Sequence, residues 1–146
     1  MRTLIASYHK IDFLDLFLYH QQKAMKIRIK GNSIRLRLSR TEVANFAQNG
    51  VIEDATTFVE QSFRYRMVIS TSHEELSADF DNNTITVYVP EKLSDTWTTS
   101  DMVGFENKMN LGNDRFLFLL VEKDFVCLDN TFEDQSDNYP NPNAQC

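Results

Sequence analysis

Between Met25 and Leu38 the chain reads MKIRIKGNSIRLRL, an alternation that admits little but a β-hairpin. Lys26, Arg28 and Lys30 are interleaved with Ile27 and Ile29, and Arg35 and Arg37 with Ile34, Leu36 and Leu38. Successive strand residues point to opposite faces, so a period of two separates an apolar face from a basic one. Gly31-Asn32-Ser33 supplies the turn, since Gly and Asn tolerate positive φ. Seven basic residues and no acid lie from Lys23 to Arg40. Like charges directly opposite one another destabilise a sheet, so this face needs a counter-charge from elsewhere.

The rest of the chain extends the pattern. Ser39 with Glu42 three residues on is a capping box; Val43, Phe46 and Ala47 make a buried helical stripe, and Gly50 ends it. Val51–Phe58 reads as a short strand or an extended link, Phe63–Ser70 as a firmer strand. Leu76–Phe80 and Thr84–Val89 flank Asn82-Asn83 as a second hairpin. Pro90 begins a short helix with Leu93 and Trp97 one turn apart. Val103–Met109 and Arg115–Val121 form a further hairpin, and the doubly apolar FLFLLV run predicts a central strand. Glu122-Lys123-Asp124 reads as a polar break. No internal repeat is visible. These elements predict an α+β domain: a mainly antiparallel sheet of about six to eight strands, open to curling into a half-barrel, with two short helices over the face of Ile27, Ile29, Ile34, Leu36 and Leu38.

A chain of 146 residues fits one domain with its own core. Residues 25–128 are expected to form that domain. Residues 1–24 read as a leader or an extra helix, and residues 129–146 as an acidic, Asn/Pro-rich tail or irregular cover, expected to be mobile. No apolar run reaches bilayer-spanning length, and the leader, broken by His9, Lys10, Asp12 and Asp15, lacks signal-peptide form. A cytoplasmic protein with Cys127 and Cys146 as free thiols is therefore expected. Net charge is −6, split as +5 over residues 1–70 and −11 over residues 71–146. Such a split suits an anion-binding half beside an acidic one, or two halves that neutralise each other.

Seven cations are candidates for one anion-binding surface: Lys26, Arg28, Lys30, Arg35, Arg37, Arg64 and Arg66, if their three strands are neighbours. Phosphate-containing ligands suit such a surface, as does an acidic protein segment. RNA is a weaker candidate, since it needs aromatics among the cations, with Tyr65 and Tyr88 the ones available. The competing expectation is internal compensation by Glu53, Asp79, Asp81 or Glu106, or by the acidic tail. No metal site, cofactor or catalytic set is predicted. Cys127, Glu133, Asp134, Asp137 and Cys146 lack zinc spacing; Asp79, Asp81 and Asn83 mimic an EF-hand start, but Thr84 stands where Gly is needed. His73 beside Glu74 and Glu75 reads as a loop residue. A triphosphate-processing barrel would want alternating glutamates for metal on the strand that is here wholly basic.

From MKIRIKGNSIRLRLSRTEV to the EDQSDNYPNPNAQC ending, the chain resembles a family of small uncharacterised bacterial proteins, a domain of unknown function that opens with this strand–GNS–strand–helix unit. The resemblance spans Met25 to Cys146 and implies a bacterial, single-domain protein; it carries over no activity and no site residue. The function expected is a non-enzymatic binding module whose basic sheet face meets an anionic partner. The alternatives are an enzyme acting on a phosphorylated small molecule, or purely structural pairing of basic and acidic halves.

Overall fold

Gly31 (φ 54°), Asn82 and Asn83 (49° and 58°), and Asn113 and Asp114 (51° and 57°) all occupy the left-handed region, and each reverses the chain between two strands. Paired left-handed residues make the tight turn whose twist matches that of flanking strands. In the computed structural model, which describes residues 25–126 and 134–142, eight strands and two helices result. In chain order they are β1 (Lys26–Ile29), β2 (Ser33–Leu38), α1 (Arg40–Asn49), β3 (Val51–Thr57), β4 (Ser62–Ser70), β5 (Ser77–Asp81), β6 (Thr84–Pro90), α2 (Glu91–Thr99), β7 (Gly104–Gly112) and β8 (Arg115–Lys123).

The hairpins fall where expected, and Val51–Thr57 is a full strand paired with β4. The α1 cap is also as predicted. Ser39 Oγ accepts from the Glu42 N–H, the Glu42 carboxylate accepts from the Ser39 N–H, and Gly50 closes the helix at φ 72°. The single, mainly antiparallel sheet is not what forms. There are two four-stranded mixed sheets, β1-β2-β8-β7 and β3-β4-β6-β5, neither closed into a barrel. Each sheet sets two antiparallel hairpins side by side with their inner strands parallel, β2 to β8 and β4 to β6. Periodicity specifies a hairpin locally but carries no information on which hairpins become neighbours.

The order of elements and their pairing is duplicated, although the sequence shows no repeat. Each half of the domain runs hairpin–helix–hairpin and contributes one hairpin to each sheet. Matching backbone bonds confirm the correspondence. Phe118 N–H donates to Asn32 O at 3.0 Å, and Arg64 N–H to Asn83 O at 2.9 Å; Ile69 N–H donates to Gly50 O and Lys123 N–H to Val103 O, both at 2.9 Å. Met25 beside β3 likewise corresponds to Leu76 beside β7. The Met25 N–H donates to Asp54 Oδ2 at 2.6 Å, and Asn107 Nδ2 donates to Leu76 O at 2.8 Å.

The inner faces of both sheets share one core, with Leu36, Leu38, Leu119 and Val121 from the first meeting Met67, Ile85, Val87 and Val89 from the second. Phe46 of α1 and Trp97 of α2, both fully buried, meet edge-on at 6.5 Å, and Trp97 packs edge-on against Phe105 at 5.3 Å. The predicted apolar face is therefore buried only in part: Leu36 and Leu38 are sealed, Ile27 and Ile34 pack at the core margin, and Ile29 near the hairpin tip is exposed. Residues 134–142 act as a cover. Tyr139 N–H donates to Asp124 O, Val126 N–H to Tyr139 O, and Arg40 N–H to Asp137 O, so the segment joins the end of β8 to the start of α1. The leader, Cys127, Glu133 and Cys146 lie outside the described residues.

Candidate functional site

Leu36 and Leu38 point into the core, so Arg35 and Arg37 stand on the outer face of the first sheet. Cross-strand register places Arg28 opposite Arg35 and Lys26 opposite Arg37 on that same face. The five cations of residues 26–37 are thus brought together as the alternation predicts. Arg64 and Arg66 are not with them. They lie on β4 in the second sheet, beside β3 and β6, so the three basic strands are not neighbours. Arg64 pairs with Glu53 at 3.2 Å, as internal compensation predicts, and Arg66 Nε donates to Thr86 Oγ1 at 2.8 Å.

Most of the counter-charge comes from an unexpected place. The presumed polar break is the last turn of the pleat in β8, which runs through Lys123. Parallel pairing with β2 puts Glu122 directly across from Arg37. Its Oε1 accepts from both the Arg35 and the Arg37 Nε at 2.7 Å, and Asp124 holds the Lys26 ammonium at 2.8 Å. In sequence Glu122 sits 85 and 87 residues from its partners and Asp124 lies farther still from Lys26, with only the period-two spacing from Leu120 to Glu122 hinting at a shared face.

What remains is a smaller site. Arg28 and Lys30 are exposed and have no acidic partner among the described residues, and Lys108 of β7 is in the same condition. Together with Ser33, Arg35, Leu120 and Phe118 they border a shallow groove of about 750 Å³, whose lining also includes the acid Glu106. Phe118 is half exposed, and the Lys108 ammonium lies 4.0 Å from the Phe116 ring centroid and 5.7 Å from that of Phe118. Lys108 and Phe118 both escaped the sequence reading. Phe118 sits in a run apolar on both faces, where nothing local marks the residue that emerges. The tyrosines singled out are elsewhere: Tyr65 is buried with its hydroxyl on Met25 O, its pKa pushed up to about 12 by burial, and Tyr88 stacks on His73 over the second sheet at 4.4 Å. His73 Nδ1 shares a hydrogen bond with Ser70 Oγ at 2.6 Å within its own loop.

The interior between the sheets is apolar, and the cations point away from it, which is the reverse of a barrel that processes phosphates within its lumen. Among the described residues no group of His, Cys, Asp and Glu side chains has the convergence a metal ion needs, and no helix is long and apolar enough to cross a membrane.

Residues 25–143 match a family of unknown function, DUF7009. The chain belongs to that family. No curated protein and no solved structure matches it. The DUF7009 match begins at the first residue of the alternating hairpin and takes in all eight strands, so the basic outer face lies wholly within the family's extent.

Proposed function

We propose that this DUF7009 protein is a non-enzymatic binding module whose first-sheet outer face takes an anionic partner, with phosphate-bearing ligands the class that its guanidinium and ammonium groups suit best. One observation carries the reading: Arg28, Lys30 and Lys108 border a groove and form no ion pair among the described residues, outnumbering Glu106, which also lines it, while their neighbours Lys26, Arg35 and Arg37 are already neutralised by Asp124 and Glu122. The seven cations therefore divide by role. Lys26, Arg35 and Arg37 serve the fold through pairs with the acidic half, as structural pairing of the halves requires; Arg64 pairs with Glu53 within the basic half and Arg66 bonds Thr86, while Arg28 and Lys30 are left to serve a partner. A half-exposed phenylalanine beside the cations also favours ligands with a flat ring to stack, such as nucleotides or single-stranded RNA.

The test is binding of polyphosphate, nucleotides and a short single-stranded RNA across a salt series. Three cations predict a log–log salt slope of about −2 for a single-stranded polyanion. The double variant Arg28→Glu/Lys30→Glu, which breaks no ion pair, abolishes binding with an unchanged melting temperature, while Arg64→Ala leaves binding intact. Equal binding by both variants, or none by wild type to any probe, removes this reading.

A further inference from the structure

The duplicated architecture supplies an internal comparison for the groove on the first sheet. Strands β3 and β4 correspond to β7 and β8, since the Arg64 N–H on Asn83 O repeats the Phe118 N–H on Asn32 O. Register then matches Arg66 with Leu120, and Glu53, opposite Arg66, with Glu106, opposite Leu120. At these positions the two sheets part company. In the second, Glu53 reaches diagonally to the Arg64 guanidinium at 3.2 Å. In the first, Phe118 stands where Arg64 would be, half exposed although its strand is central. Glu106 lines the groove, is exposed, and has no hydrogen bond or ion pair among the described residues. Lys108, two residues along the same face, does not supply one. Its ammonium lies 4.0 Å from the Phe116 centroid, toward the hairpin tip and away from Glu106.

The acid has kept its place and lost its guanidinium, while the neighbouring position has gained an open aromatic face. A flat ligand that brings its own guanidinium-like edge fits both changes. We infer that the groove binds guanine nucleotides, the base resting on Phe118 with its N1–H and 2-amino group donating to the Glu106 carboxylate. This rests on the reading of the basic face as a phosphate site and adds the base that the site selects.

The chemistry distinguishes guanine from the other bases. A carboxylate only accepts hydrogen bonds, and a fork of two parallel N–H donors matches its two oxygens. Guanine presents that fork on its Watson–Crick edge. Adenine and cytosine place a ring-nitrogen acceptor beside their amino group, and uracil flanks its one N–H with two carbonyls, so each turns a lone pair toward the acid. The phosphates fall in the right direction. In register across the sheet run Glu106, Leu120, Arg35 and Arg28, on β7, β8, β2 and β1. At the usual strand spacing Arg35 and Arg28 stand about 10 and 14 Å from the acid, within reach of the phosphates of a nucleotide whose base lies at Glu106. Ser33, beside Phe118 on β2, is too small to cover the ring.

Calorimetric titration of the whole chain with GTP, ATP, CTP, UTP and inosine triphosphate tests this, with inorganic polyphosphate as the base-free probe. Expected is GTP binding about tenfold or more tighter than ATP, CTP or UTP, as a bidentate base contact provides. Inosine triphosphate, which keeps N1–H and lacks the 2-amino group, should fall between. Glu106→Ala should bring GTP down to the level of ATP, and Phe118→Ala should weaken every nucleotide while sparing polyphosphate. Melting curves verify folding; should either variant fail to fold, the comparison of GTP with inosine triphosphate on the wild type decides. Equal affinity for all bases, a guanine preference that survives Glu106→Ala, or inosine triphosphate matching GTP overturns the inference. Polyphosphate binding with no nucleotide binding also overturns it and leaves the phosphate reading standing, whereas silence from every probe removes both. A short RNA carrying one guanine among adenines, set against its all-adenine counterpart, separates the two sources of the base: discrimination there at an affinity well above that of GTP assigns the site to a strand, and affinity no better than that of GTP assigns it to the free nucleotide.

Discussion

Glu42 sets the pH dependence of stability at the residue scale. Its pKa is about 7 folded against an ordinary value of 4.5. A carboxyl raised on folding contributes stability that is fully present below the unfolded value and is lost as pH rises through the folded one, so the window here runs from about 4.5 to 7. Glu42→Gln, which preserves the capping box, should raise stability by as much as about 3 kcal/mol at pH 8 and leave it unchanged at pH 4. Denaturant melts at the two pH values measure this, and a destabilised variant at pH 8 would show that the ionised carboxylate is already compensated. Gly104 carries a second residue-scale expectation. A Cβ there would collide with Val121 O and sit 2.8 Å from Glu122 Cβ, backbone and a strand side chain that cannot swing away. Gly104→Ala should therefore cost about 1–3 kcal/mol by overpacking and disturb the carboxylate that holds Arg35 and Arg37.

Elements differ in how much of their stability is local. The α1 N-terminus is secured by side chains, so Ser39→Ala should cost about 1 kcal/mol, read from the midpoint of urea unfolding. α2 has Pro90 as its N-cap and no side-chain cap bond, and it relies on packing instead. Trp97 is fully buried against Phe46 and Phe105, so Trp97→Ala should cost about 3–5 kcal/mol and loosen both halves together. Strand β8 shows the same division. Its apolar run predicted a central strand, and it is central, between β2 and β7. Its charged end was misread because Glu122 finds its meaning only in the cations across from it. Glu122→Gln should lower stability by about 1–2 kcal/mol while strengthening polyanion binding, since Arg35, which lines the groove, is released from its counter-charge. A drop in both stability and affinity would instead make Glu122 a positioning residue for that face.

For the whole molecule, the exchange of hairpins between halves governs folding. Each half places one hairpin in each sheet, and the inner strands β2 and β4 find their parallel partners, β8 and β6, only in the other half. Neither half can bury its apolar faces alone. Fragments divided between Ser70 and Leu76 should each lack a cooperative transition, and mixing them should restore one, as circular dichroism melts of the separate and combined fragments can show. Parallel pairing over long sequence separation should also make folding slow relative to a bundle of the same size. The sequence by itself determined the hairpins, the capped helix and the segregation of cations to one face, because period, turn chemistry and capping act within a dozen residues. Tertiary structure decided the rest: two mixed sheets in place of one, Arg64 and Arg66 carried away from the other cations, Glu122 and Asp124 delivered to them, and Glu42 enclosed beside Asp54. Those outcomes depend on which apolar faces bury one another, a long-range balance that no local pattern encodes.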